Sequence, residues 1–238
     1  MFSYGQYCPV AKAAELLAER WTPLILRELL SGIQHFNELE RGLPGIPRSL
    51  LASRLRRLEQ AGVITRQAAS RGHATEYRLT PAGQQLRGVV EALGNWGAQW
   101  AFGDPLPEEL DPSLLLWKMK QFVNLRQLPQ RRIVVQFDVC GQRTGSYWFV
   151  MEPTEVSVCL QHPGFEIDVL VTADIAALYR VWLGRMTLAE ALHEGLIELD
   201  GPTPLVRAFP GWFALSPFAS VVHAAVVAKR KGSDPAAL

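Results

Sequence analysis

The stretch PRSLLASRLRRLEQAG at residues 47–62 constrains the fold more than any other part of the sequence. Leu51, Leu55 and Leu58 recur at spacings of four and three, which places them on one stripe of a helix facing a core. The opposite face carries Ser49, Ser53, Arg56 and Arg57. Arg48 and Ala52 lie on one flank and Leu50 on the other. Arg54 sits beside the leucine stripe, where its stem can cover the core while its head reaches water. Gly62 is a C-terminal stop. Alternating residues at 63–67 and 75–79, on either side of a polar tip at Ala68 to His73, predict a β-hairpin. Thr80 and Pro81 then supply an N-cap and first turn for a helix expected to run to about Phe102. That helix carries Leu86, Val89, Val90, Leu93, Trp96 and Trp100. Upstream, three shorter helices are expected. The first is Pro9 to Leu17, with Val10, Ala13, Ala14 and Leu17 at helical spacing. The second starts at Pro23, with Thr22 as N-cap and Gly32 as stop. The third is Phe36 to Arg41, with His35 before it expected to cap or pack.

Charge is focused rather than spread. Residues 1–103 hold 12 Lys/Arg against 8 Asp/Glu, whereas 104–238 hold 12 against 15, within a chain of formal net charge +1. Residues 41–73 contain seven arginines and one acid, Glu59. One basic segment in a near-neutral protein fits a DNA-binding element, although charge alone equally describes a solvated face. Helix, turn, basic helix, hairpin and helix is the winged-helix order. A basic helix of this kind fits the B-DNA major groove, and a hairpin beside it reaches backbone or minor groove.

Several linked segments carry a specific resemblance: CPVAKAAELLAERWTPLILREL (8–29), HFNELERGLPGI (35–46), LASRLRRLEQAGVI (51–64) and YRLTPAGQQL (77–86). Together they resemble the HxlR family of bacterial winged-helix transcriptional regulators. The resemblance implies a homodimer, paired through the first and last helices, on a pseudo-palindromic operator. Where that family commonly has a capping Ser before the recognition helix, this sequence has Pro47. The DNA-contacting residues expected on this basis are Arg48, Ser49, Ala52, Ser53, Arg54, Arg56 and Arg57 on the helix, with Arg66, Arg71 and His73 on the wing. Ser49, Ser53 and Arg56 should lie deepest in the groove. Arg57, Arg71 and His73 should contact phosphate.

A length of 238 residues suits two domains, and Gly103-Asp104-Pro105-Leu106-Pro107 reads as a linker. The expected organisation is a winged-helix domain at 1–103 and a regulatory or ligand-binding domain at 104–238, an α+β chain overall. In the second part, Asp111-Pro112 opens a helix. Strands are expected at 132–139, 145–151, 155–160 and 166–172, read as half-buried and antiparallel. Helices follow at 173–183 and at 187–194, the latter with a Thr187/Glu190 capping box. A short strand at 196–199 and a helix at 202–209 complete it. Residues 169–209, with Gly184, Gly195 and Gly201, resemble the sterol-carrier-protein type of lipid-binding domain. That resemblance implies an α/β sandwich-like domain with an apolar tunnel between sheet and helices, open to an apolar small molecule or lipid. Candidate lining residues are Trp117, Phe137, Tyr147, Phe149, Tyr179, Trp182 and Trp212, with Phe122, Phe209 and Phe213 beside them. Aromatics at these spacings more often belong to a filled core than to a pocket wall. Tyr147-Trp148-Phe149 puts aromatics on both faces of one strand, so at least one face needs cover.

Three cysteines, odd in number and widely spaced, argue against a disulfide scaffold. Neither a basic start with an apolar run nor a membrane-length apolar stretch is present, so a cytoplasmic protein is expected. The histidines show no metal-ligand spacing, and there is no P-loop, dinucleotide motif or nucleophile signature. No enzyme, metal or cofactor is expected. Cys8 precedes Pro9 at a helix start, where the helix dipole and Lys12 favour a thiolate. It is a candidate redox site or a small packed residue. The leading expectation is a ligand-responsive transcriptional regulator, read as a repressor. The alternative is a regulator that responds to oxidants or electrophiles through Cys8, with a filled-core interaction module behind it.

Overall fold

The computed structural model describes residues 3–68 and 75–232. The chain folds as two compact units, residues 1–94 and 95–238.

The first unit starts with α1 (Pro9–Leu17), α2 (Thr22–Leu30) and α3 (Phe36–Gly42), followed by α4 (Arg48–Gln60). Strands β1 (Ile64–Ala68) and β2 (Thr75–Leu79) pair antiparallel, with Ile64 opposite Leu79. Leu51, Leu55 and Leu58 are buried, as their spacing predicts, and pack with Ile25, Leu26, Leu39 and Ile64. The apolar stripe expected on α1 differs: Ala11 faces inward, while Val10 is 75% exposed. Thr22 does not cap α2. Trp21 occupies the cap position with φ 79°, no side chain caps the helix, and Thr22 is buried. Trp21 is the one non-glycine residue with positive φ among those described, a conformation that carries a steric cost for a bulky side chain. It turns the chain sharply between α1 and α2.

Thr80 caps the next helix as expected, its hydroxyl accepting from Gly83 N at 3.2 Å. Gly83 also lies where a Cβ would collide with the Val63 carbonyl, so hairpin and helix approach each other closely only because that side chain is missing. The single expected helix is three pieces: α5 (Pro81–Gln85), α6 (Arg87–Trp96) and a π-helical turn at Gly97–Ala101. The unit boundary falls at Gly94/Asn95, inside this run, earlier than the 103/104 linker that the sequence suggested. Ala98 is buried and the π-helical turn packs against the C-terminal helix, which ties it to the second unit.

The second unit runs α7 (Pro112–Lys120), β3 (Ile133–Cys140), β4 (Gly145–Met151), β5 (Val156–Cys159), β6 (Val169–Asp174), α8 (Ile175–Trp182), α9 (Leu188–His193), β7 (Ile197–Asp200), α10 (Thr203–Ala208) and α11 (Ala219–Gly232). The strands form one sheet in the order β5-β4-β3-β6-β7. The expectation of antiparallel strands throughout is corrected: β3 and β6 are parallel, with Phe137 opposite Val171. Residues 160–168 carry the chain back along the sheet, so β6 lies beside β3 in the same direction. Alternation within a strand is blind to such a crossover. Val135, Phe137, Phe149, Val171 and Ala173 fill the face covered by helices. On the other face Trp148 donates from Nε1 to Gln136 Oε1 at 2.9 Å, and Gln136 and Ser146 both donate to Asp138. That network answers the question raised by aromatics on both faces of β4: the outer ring is held by polar neighbours. Asp174 caps α8, accepting from Ala177 N at 2.9 Å, and the Thr187/Glu190 capping box on α9 forms as predicted. Helix α11 has no counterpart among the elements expected from the sequence.

Candidate functional site

The outward face of α4 is set by its leucine stripe. Ser49 and Arg56 are exposed, with Ala52 and Ser53 half-buried beside them. Pro47 stands at the N-cap position with no side-chain hydrogen bond, so the first turn of α4 is capped by neither a hydroxyl nor a carboxylate and its N–H groups point outward.

The arginines of α4 divide into two groups. Arg57 donates to the Glu15 carbonyl of α1 at 2.6 Å, and its Nη1 lies 2.5 Å from Glu19 Oε1. Arg54 donates from Nε to the Arg20 carbonyl at 3.2 Å, and its Nη1 lies 3.0 Å from Glu19 Oε2. Glu19 Oε2 is buried without a formed hydrogen bond, so its attraction to Arg54 is Coulombic, off the N–H direction. One carboxylate just beyond the end of α1 thus clamps two arginines of α4. Both arginine side chains are only 20% exposed. In the single chain Arg54 and Arg57, both expected to contact DNA, bind residues behind α4 instead of standing free. Arg48 is exposed but engaged, pairing with Glu40, donating to Asn37 Oδ1 and lying over the Phe36 ring. Arg56 is the arginine of α4 left facing outward.

On the wing, Arg66 is exposed on β1 opposite Tyr77. Arg71 and His73 lie outside the described residues. His35 braces the hairpin: it bridges to Glu76, and its Nδ1 is 3.4 Å from the Thr75 carbonyl. Cys8 occupies the N-cap position of α1 without capping it and is half-buried. Lys12, expected to favour its thiolate, pairs instead with Glu15 at 3.2 Å.

The second unit holds a cavity of about 350 Å³ between the sheet and helices α8 and α11. Of the seven expected lining residues, Phe137 and Trp182 are in its wall, as are Phe209 and Phe213. The other five are not, for separate reasons. Trp212 and Phe149 are fully buried in the core. Tyr147 packs against that core, and Trp117 is buried on α7 with the Lys120 ammonium over its ring at 4.9 Å. Tyr179 donates its hydroxyl to the Asp111 carbonyl at 3.0 Å, and burial pushes its pKa up to about 12. Residues that sequence reasoning missed include Met119, Leu178, Met186 and His223. The first three have the same spacing as ordinary core residues. His223 lies on α11, the helix that the sequence did not announce.

These features fit what the chain resembles in known proteins. The family described as HxlR-like helix-turn-helix matches residues 16–104. The HTH-type transcriptional regulator Rv3095 of Mycobacterium tuberculosis is 45% identical over 100 residues, covering 42% of this chain and 61% of that protein. The chain therefore spans less than two thirds of the mycobacterial relatives it matches. The HTH-type transcriptional regulator YvaP of Bacillus subtilis is 34% identical over 113 residues, covering 47% of this chain and 96% of that protein. Among solved structures, the reduced form of the transcriptional regulator YodB from B. subtilis shares 33% identity over 40% of this chain and 95% of that one, with a TM-score of 0.36. With YvaP matched along nearly its whole length, the chain belongs to the HxlR-like helix-turn-helix family.

Proposed function

We propose that the chain is a transcriptional repressor that binds an inverted-repeat operator as a homodimer, and that its second unit binds an apolar small molecule that alters operator affinity. The observation that carries the DNA reading is the outward face of α4. Ser49, Ser53 and Arg56 face away from the buried leucines, while Arg54 and Arg57 are held back by Glu19. An outward arginine flanked by serines suits base-edge readout in the major groove, where bidentate Arg to guanine is the commonest specific contact. Arg66, Arg71 and His73 of the wing are assigned to phosphate.

The homodimer is supported by apolar residues on and next to the first and last helices of the family domain. Tyr7 and Val10 are exposed, as are Val89, Leu93, Trp96 and Trp100, which recur at helical spacing. α6 buries none of its residues within the single chain. A continuous apolar stripe left in water is costly, and a second copy of the same stripe removes that cost.

Ligand binding is supported by the apolar cavity between the sheet and the helices of the second unit. An effector acting on an operator complex typically changes affinity by ~1–3 kcal/mol, or roughly 5–150-fold.

The test is to titrate the purified full chain onto DNA enriched from a random pool, at several salt concentrations. The proposal expects a selected sequence bound roughly 10³-fold or more above bulk DNA, by a dimer. Equal binding to selected and bulk DNA contradicts it. Native mass spectrometry of the same sample tests the ligand.

A further inference from the structure

The wall of the second unit's cavity is almost wholly hydrocarbon, and among the described residues the side-chain polar groups it leaves for a ligand are two ring nitrogens. The rings of Phe137, Phe209 and Phe213 gather at one side, with Phe213 edge-on to Phe137 at 6.0 Å and 84°. No Asp, Glu, Lys or Arg lies among the described residues of the wall. Thr187 is there, but its hydroxyl is taken up by Glu190, to which it donates at 2.7 Å.

That leaves His223 and Trp182. His223, on α11, lies 3.3 Å from the Gly184 carbonyl through Nδ1. A carbonyl only accepts, so Nδ1 carries the proton and Nε2 is left for another partner. The residue is exposed, which puts the ring at the mouth. Trp182 closes α8, and its Nε1–H is buried with no acceptor among the described residues. An indole N–H only donates, so a buried one without a partner calls for a ligand oxygen that accepts.

The same few residues hold the mouth together. Ser216 N donates to the Trp182 carbonyl at 2.9 Å. Gly184 has φ 75° and sits where a Cβ would lie 2.6 Å from the Ala219 carbonyl. The start of α11 is therefore pressed directly onto the turn after α8, with His223 one turn further along.

Size limits the occupant. An apolar cavity of ~150 Å³ holds one benzene, so about 350 Å³ holds roughly two rings. A four-ring sterol skeleton exceeds it. A ligand polar group that neither meets His223 nor accepts from the Trp182 Nε1–H would be buried among phenyl rings without a partner, which weakens binding. An amine head would find no carboxylate.

We infer that the cavity takes an aromatic monocarboxylic acid of about two rings, with its acid group sharing a proton with His223 Nε2 at the mouth and its rings against Phe137, Phe209 and Phe213. The inference rests on the proposed ligand binding and narrows it. The shared proton arrives with the acid or with the imidazolium, or is taken up from water when a carboxylate meets the neutral imidazole, and the complex holds the same number in each case.

The probes are 2-naphthoic acid, naphthalene-2-methanol, 2-naphthylmethylamine and naphthalene, each titrated calorimetrically into the full chain, wild type and His223→Leu. The acid should bind about tenfold or more tighter than the alcohol or naphthalene, with the amine weakest. His223→Leu should bring the acid down to the level of naphthalene while leaving naphthalene itself unchanged. Equal binding of acid, alcohol and amine to the wild-type chain overturns the headgroup assignment and leaves the proposed ligand binding standing. No binding of any probe, naphthalene included, overturns both. The comparison among ligands on the wild type holds even if the variant fails to fold.

Discussion

At the scale of single residues, Glu19 decides what the arginine-rich helix can do. Four arginines within ten residues look interchangeable in the sequence, and helical geometry separates them only by direction. The structure separates them by partner: two are neutralised from behind by one carboxylate, and Arg56 is left outward. Glu19→Gln should release Arg54 and Arg57 toward the DNA backbone. Each further phosphate neutralised steepens the dependence of log affinity on log salt by about 0.9. The variant should therefore show a slope steeper by roughly one to two, measured by anisotropy over a salt series. An unchanged slope would mean that the clamp does not set arginine availability. Tyr179 makes a second residue-scale prediction. Its pKa is raised to about 12 by burial, against about 10 in an unfolded chain. The folded state thus favours the neutral phenol. This contribution is fully present below about pH 10 and is lost as pH rises toward 12. Tyr179→Phe should cost about 1 kcal/mol at neutral pH through the lost bond to Asp111. Its stability should also fall less steeply than that of the wild type between pH 10 and about pH 12. Denaturant titrations at both pH values check this.

At the scale of elements, most of the first unit was legible. Leu51, Leu55 and Leu58 marked the buried side of α4, and Thr80-Pro81 marked a helix start. In the second unit Thr187 with Glu190 marked another. Each rests on local chemistry that tertiary packing did not override. What failed was non-local. Thr22 has the right type for a cap but is buried, because Trp21 takes the turn. The parallel pairing of β3 and β6 depends on where residues 160–168 travel. The five misplaced cavity residues failed for a related reason: spacing assigns an aromatic to a face, and only packing says whether that face is filled. The stripe Val89, Leu93, Trp96 and Trp100 is apolar at helical spacing in the sequence, and the structure leaves it exposed in the single chain. Leu93→Asp should convert the chain to monomer in sedimentation while leaving its helical circular dichroism intact, since Leu93 is already 54% exposed in the single chain. A dimer that persists would place the interface elsewhere.

At the scale of the whole molecule, the chain combines a family domain proposed to read DNA with a second unit whose cavity opens beside α11. Within that second unit, α11 touches both the cavity wall, through Ala219 and His223, and the π-helical turn at Gly97–Ala101. That turn follows directly on the helix that carries the exposed apolar stripe. In the reading proposed above, a ligand that moves α11 would be felt at that turn. The central claim remains that α4 reads sequence through Arg56. Its most direct test is selection of binding sites from random DNA by the wild-type chain and by Arg56→Ala in parallel. The account predicts an inverted repeat with half-sites about 10–10.5 base pairs apart, or a multiple of that. It further predicts that Arg56→Ala loses preference at one base pair in each half-site, at a cost of about 1–3 kcal/mol. An identical selected sequence from both proteins would contradict it.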